Sequence, residues 1–163
     1  MPGRRCARGR GRASAGGGTH GATGVTLVEL LTVIVVLAIL AAIAVPSYRS
    51  QILRTQRTEA TAALLRIGAA QEAHFLQHSR YAGSLDGAPP TGLGLAPVTE
   101  RGLYGLSVVA TDAAGTGYVA RAEPRAGSGQ QDDTECQLFA VDHLGQRSAR
   151  SGGGADTATR CWR

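Results

Sequence analysis

The sequence contains no lysine, so arginine supplies all 17 of its permanent positive charges. It also has no Asp or Glu before Gly24. Five arginines lie in that acid-free stretch: Arg4, Arg5, Arg8, Arg10 and Arg12. Subtracting those five from 17 leaves 12 arginines against 12 acidic residues. The chain after Gly24 is therefore neutral in its side chains, which excludes a bulk-charge attraction to nucleic acid.

Catalytic and cofactor-binding motifs are also missing. There is no G-x-S-x-G, no H-E-x-x-H and no P-loop, since Gly152-Gly153-Gly154 lacks the following Lys and Ser/Thr. His74 and His78 stand one helical turn apart without an identifiable third ligand, and two surface histidines are expected. Two neighbouring carboxylates, Asp132 and Asp133, are too few for a calcium site. We expect a protein that is not an enzyme and has no metal or cofactor.

The stretch from Val25 to Val45 is apolar at nearly every residue. As an α-helix it would be about 31 Å long, which is the thickness of a bilayer core. Glu29 is the one charged residue inside it, and a carboxylate in such a segment usually has a partner and a function. Three interpretations compete: a secretory signal peptide cut after Ala42-Ile43-Ala44, a plain single-span anchor, and a processed segment that begins after Gly24.

The order of basic leader, Gly24, Val25-Thr26-Leu27-Val28, Glu29 and apolar helix resembles the N-terminus of type IV prepilins. The resemblance implies cleavage of residues 1–24 by a prepilin peptidase between Gly24 and Val25, N-methylation of Val25, and a role for Glu29 in subunit assembly. Further stretches, Ala70–Phe75 with Arg80-Tyr81-Ala82 and the terminal Cys161-Trp162, are similar to PilE-like minor pilins. Where the pilin family usually has Phe, this chain has Val25.

Cysteines are few: Cys6, Cys136 and Cys161. On the prepilin interpretation Cys6 is discarded with the leader, which leaves an even pair for an oxidising compartment. We predict a disulfide between Cys136 and Cys161, with two free thiols as the alternative. Trp162 beside it is expected either to pack at the edge of the sheet or to be an exposed contact residue.

Helical periodicity continues beyond Pro46, and one face consists of Ala60, Leu64, Ile67, Gln71 and Phe75. We predict one helix over residues 25–78, of which 25–45 would lie in the membrane or in the filament core. Four arginines of its second half are interpreted as a solvated face that meets lipid headgroups before assembly and neighbouring subunits afterwards, with a DNA-contacting stripe as the alternative: Arg49, Arg54, Arg57 and Arg66.

Residues 79–163 are predicted to form the head. A loop rich in Gly and Pro precedes four short strands near residues 104–108, 118–122, 136–141 and 147–149, which hairpin-length connections make antiparallel. The predicted fold class is therefore α+β, the type IV pilin fold, with a long N-terminal helix packed on a four-stranded antiparallel sheet. The disulfide-bounded C-terminal region would complete the head.

The resemblance implies a structural minor pilin that supports pilus assembly, adhesion and twitching motility. Expected partners are other pilin subunits, the prepilin peptidase, the inner-membrane assembly machinery and the membrane before assembly. Expected locations are the inner membrane, with a cytoplasmic N-terminus, and then the pilus at the cell surface. Two alternatives are a type II secretion pseudopilin and a DNA-binding pilin for transformation. The sequence signal for the DNA-binding pilin is a basic group near the disulfide: Arg147, Arg150, Arg160 and Arg163.

Overall fold

The computed structural model describes residues 24–163. The predicted leader, with Cys6, therefore lies outside the described residues except for Gly24. Contacts divide the chain into two units, Met1–Leu40 and Ala41–Arg163, which are described separately below. Helix α1, Leu27–His78, begins in the first unit and ends in the second.

The described part of the first unit is the apolar start of α1. The hydroxyl of Thr26 accepts a hydrogen bond from the backbone N–H of Glu29 at 3.2 Å, as a helix N-cap does. The large apolar side chains that follow are exposed in the monomer, and α1 is long and apolar enough to cross a membrane. This apolar N-terminal helix fits a membrane-anchored protein.

In the second unit, α1 continues through Pro46 to His78 and presents one face to the head. The buried residues on that face follow one another at intervals of three and four, the spacing of a single helical stripe. They are Arg57, Ala60, Leu64, Ile67, Gln71 and His74. The predicted face is thus confirmed as far as Gln71, whereas Phe75 is exposed and His74 takes the next buried position. Arg57 is buried rather than solvated.

Four antiparallel strands follow in the order β1-β2-β3-β4, which confirms the predicted fold class. Their bounds are Tyr104–Ala110 for β1, Tyr118–Pro124 for β2, Leu138–Asp142 for β3 and Arg147–Arg150 for β4. Between β2 and β3 lies a 3-10 turn, Gly129–Asp132, and after β4 a short helix α2, Ala158–Cys161. The register places Ala122 opposite Phe139 and Phe139 opposite Ala149.

Side chains alternate across the sheet, so every second residue enters the core beneath α1. Tyr104 and Phe139 are fully buried, with their rings edge to face at 5.8 Å between centroids. Burial raises the pKa of Tyr118, in the same core, to about 12. Small residues at Ala120, Ala122 and Ala149 leave room for these rings. The opposite face carries exposed polar residues, including Arg121 and Arg150.

Two polar side chains of α1 hold the start of the loop that leads to β1. The amide of Gln71 binds Ala82 as a neighbouring strand would, accepting from its N–H at 2.8 Å and donating to its carbonyl at 3.0 Å. The ring nitrogens of His74 lie 2.9 and 3.0 Å from the carbonyl oxygens of Arg80 and Pro90. The prediction of a surface histidine at position 74 is therefore wrong, because this side chain is buried against the loop.

Candidate nucleic-acid interface

The C-terminal segment is attached to the sheet by a covalent bond and by backbone pairing. Cys136 and Cys161 form the predicted disulfide. Between β4 and α2 lies a turn from Ser151 to Ala155, and two hydrogen bonds join its first residue to its last. The N–H of Ser151 donates to the carbonyl of Ala155 at 3.0 Å, and the N–H of Ala155 donates to the hydroxyl of Ser151 at 3.1 Å. Gly154, at φ +81°, supplies the left-handed conformation inside this turn. Arg160 and Arg163 are thereby held against the head.

Trp162 packs at the edge of the sheet. Its ring lies edge to face with Phe139, and its Nε1–H donates to the carbonyl of Ser148 at 2.9 Å. The guanidinium of Arg147 lies 5.3 Å from the ring centroid, a cation–π arrangement. Of the two interpretations of Trp162, the structure therefore shows the packed one, with the ring still half-buried.

A cleft of about 490 Å³ lies between α1 and the C-terminal segment. Four arginines and one carboxylate line it: Arg54, Arg57, Arg160, Arg163 and Glu135. Within residues 24–163, neither Arg54 nor Arg163 has a carboxylate within 4.0 Å. We call this feature the arginine cleft. The side chains of the cleft therefore carry a net positive charge, although the side-chain charges of the whole chain after Gly24 sum to zero.

The inner wall of the arginine cleft is a buried ion pair. Arg57 donates through Nε and Nη2 to the two carboxylate oxygens of Asp133, at 2.6 and 2.7 Å. These hydrogen bonds raise the pKa of Arg57 above its ordinary value, against the opposing effect of burial. Gln130 donates a further bond to Asp133 at 3.0 Å. The pair therefore joins α1 to the loop before β3.

The basic group predicted from the sequence is divided by the fold. Arg147 and Arg150 are three residues apart on β4, so they lie on opposite faces of the strand. Arg160 and Arg163 instead join Arg54 and Arg57, which sequence analysis had assigned to a solvated face. Two carboxylates near this group cap local turns, since Asp142 accepts a hydrogen bond from the N–H of Leu144 and Asp156 accepts one from the N–H of Ala158.

A larger cleft of about 730 Å³ lies between α1 and residues 95–106. Its rim carries two ion pairs, Arg101 with Glu59 at 2.6 Å and Arg66 with Glu100 at 3.2 Å. Burial raises the pKa of Glu59, but hydrogen bonds from Thr99 and Arg101 outweigh it and the net pKa is lowered. Because positive and negative charges balance there, this cleft has no preference for anions.

The remaining predicted site residues lie at the N-terminus. Gly24 precedes the helix, Val25 is exposed, and Glu29 lies in the first turn of α1. Cleavage after Gly24, methylation of Val25 and the role of Glu29 stay predictions. Across residues 24–163 no group of three or more His, Cys, Asp or Glu is placed to hold a metal ion.

Comparison with known proteins gives one family. A family model described as type IV minor pilin ComP, DNA uptake sequence receptor, matches residues 46–140, more than half of the chain. The matched region contains the head-facing part of α1, strands β1 and β2, and the buried partners Arg57 and Asp133. No curated protein matches the chain.

Proposed function

Because this chain belongs to the family of the type IV minor pilin ComP, DNA uptake sequence receptor, we propose that it binds double-stranded DNA during DNA uptake. The arginine cleft is the observation that carries the proposal. The neutral sum of side-chain charges after Gly24 favours a structural pilin over a DNA-binding one. The cleft answers that objection, since Arg54, Arg160 and Arg163 line it together with only one carboxylate, Glu135. The fourth lining arginine, Arg57, is neutralised by Asp133.

The chemistry of the cleft suits a phosphate backbone. Planar guanidinium groups offer paired N–H donors that match phosphate oxygens. Arg54 and Arg163 are exposed and have no carboxylate within 4.0 Å among the described residues, so they are available for such contacts. Contacts of this kind position a protein on the duplex and make its affinity fall with salt.

A pair of double variants tests the proposal on the full chain in neutral detergent. Arg54→Ala with Arg163→Ala is expected to weaken binding of a labelled duplex about tenfold. It is also expected to reduce the slope of log affinity against log salt concentration by the equivalent of about one to two phosphate contacts. Arg80→Ala with Arg125→Ala removes the same charge from exposed positions outside the arginine cleft. This control is expected to bind nearly as the wild type does in fluorescence anisotropy. Equal losses in the two variants would contradict a localised site.

We also propose the processing and assembly steps that the prepilin resemblance implies. The prepilin peptidase cuts between Gly24 and Val25, Val25 is N-methylated, and the mature protein stays in the inner membrane with its N-terminus on the cytoplasmic side. The assembly machinery then transfers it to the pilus at the cell surface, where it supports adhesion and twitching motility. The exposed apolar side chains of α1 before Pro46 support this proposal, because they need lipid or neighbouring helices as cover.

Replacing Glu29 with glutamine is expected to leave membrane insertion nearly intact and to reduce incorporation into the pilus several-fold. The carboxylate is costly to bury among packed helices unless a cation compensates it, and the amine freed at Val25 of an adjacent subunit is that cation. Quantitative immunoblots of sheared pili and of membranes measure both quantities, with Glu72→Gln on the same helix as control. Incorporation at the wild-type level would instead assign Glu29 to the amide groups of its own helix N-terminus.

A further inference from the structure

One carboxylate stands inside the arginine cleft. The Oε2 atom of Glu135 accepts a hydrogen bond from Nη2 of Arg57 at 3.2 Å, and its Oε1 atom lies 3.7 Å from Nη1 of Arg160. The side chain bridges α1 and the C-terminal segment at the position where an incoming anion would meet both guanidinium groups. It is 48% exposed, so it has room to move toward solvent.

Glu135 is not required to neutralise a buried charge. Asp133, whose side chain is 2% exposed, already satisfies Arg57 with two short hydrogen bonds. The second partner, Arg160, is 69% exposed, and ion pairs between exposed groups contribute little to stability. Glu135 is therefore able to leave Arg57 and Arg160 without leaving a buried cation unpaired.

We propose that Glu135 is an internal competitor that occupies the phosphate position of the arginine cleft and is displaced when an anion binds. A carboxylate and a phosphate present similar pairs of oxygens to a guanidinium group, so the two compete for the same N–H donors. The identity of the anion as a phosphate of the DNA backbone rests on the proposed function. The competitor lowers the affinity of the cleft and keeps its contacts reversible.

Glu135→Gln tests this inference, because it removes the charge and keeps the shape. The full-chain variant in neutral detergent is expected to bind duplex DNA about three- to tenfold more tightly than the wild type. The reason is that the Coulomb repulsion between the Glu135 carboxylate and a phosphate, partly screened by solvent, is then absent. Glu100→Gln is the matched control. Glu100 is also paired with an arginine, Arg66 at 3.2 Å, but it lies outside the arginine cleft, and the change in net charge is identical.

Inorganic pyrophosphate is the second probe, since it carries the same anionic oxygens without a duplex. Trp162 is the single tryptophan of the chain and lies between Cys161 and Arg163, which both line the cleft, so its fluorescence reports binding. Thermal unfolding checks that both variants fold. Tighter binding of both probes by Glu135→Gln but not by Glu100→Gln supports the inference.

Two other outcomes separate the inference from the proposed function. If the two glutamine variants change affinity equally, or if neither does, the competitor role is overturned while DNA binding by the wild type stands. If neither the wild type nor Glu135→Gln binds DNA, but Glu135→Gln alone binds pyrophosphate more tightly, the proposed function fails and the anion cleft with its competitor stands.

Discussion

Replacing Asp133 with alanine is expected to lower the free energy of unfolding of the unit Ala41–Arg163 by about 3–5 kcal/mol. The substitution removes both short hydrogen bonds of Arg57, whose side chain is 10% exposed, and leaves its charge without a compensating buried partner. Gln130, which is fully buried, loses one of its two acceptors as well and keeps only the carbonyl of Leu53. Urea denaturation of the full chain in neutral detergent, followed by Trp162 fluorescence, measures the loss.

Asp132→Ala provides the control for this prediction. Asp132 is adjacent in sequence but exposed, and within the described residues it forms no salt bridge. Its replacement is expected to change the unfolding free energy by about 0.5 kcal/mol or less. Replacing Arg57 and Asp133 together with leucine is expected to recover much of the loss, because no charge is then left unpaired. If the two alanine variants were equally stable, the buried pair would have no structural role.

Replacing Cys136 and Cys161 with serine is expected to lower the unfolding free energy by about 3–4 kcal/mol on the chain-entropy model. The bond closes a loop with a sequence separation of 25 residues, which the unfolded chain would otherwise explore freely. The variant is also expected to bind DNA more weakly, since Cys161 holds α2 and, with it, Arg160 and Arg163 at the cleft.

Reductant supplies the control for the disulfide prediction. It is expected to lower the stability and DNA affinity of the wild type to those of the serine variant, and to leave the variant unchanged. Urea denaturation and fluorescence anisotropy measure the two effects. A serine variant as stable as the oxidised wild type would show that backbone pairing alone holds the segment.

Local sequence patterns predicted the elements of this fold. The three- and four-residue spacing of apolar side chains marks the inner face of α1, and strand-like alternation with turn residues marks the hairpins. His74 shows the limit of a hydrophobic pattern. It continues the same stripe after Ile67 and Gln71, yet its polar character suggested the surface. The position on the stripe was the available signal, whereas the loop that covers the ring was not visible in the sequence.

The arginine cleft was not predictable for a different reason. Arg57 meets Asp133 across a sequence separation of 76 residues, and no local pattern indicates which of 12 acids an arginine will find. The sequence suggested a basic group near the C-terminus and a separate arginine-bearing helix face. Only the packing of the disulfide-linked segment against α1 joins Arg160 and Arg163 to Arg54. Side-chain alternation along β4 separates Arg147 from Arg150.

The closed turn from Ser151 to Ala155 has a consequence for how this surface changes in evolution. Because hydrogen bonds join its two ends, added residues between Gly152 and Gly154 would lengthen an exposed loop without moving β4 or α2. Each doubling of loop length costs only about 0.6 kcal/mol in closure entropy. Insertions and deletions are therefore cheap in the turn between β4 and α2, and this surface is able to diverge while the fold stays fixed.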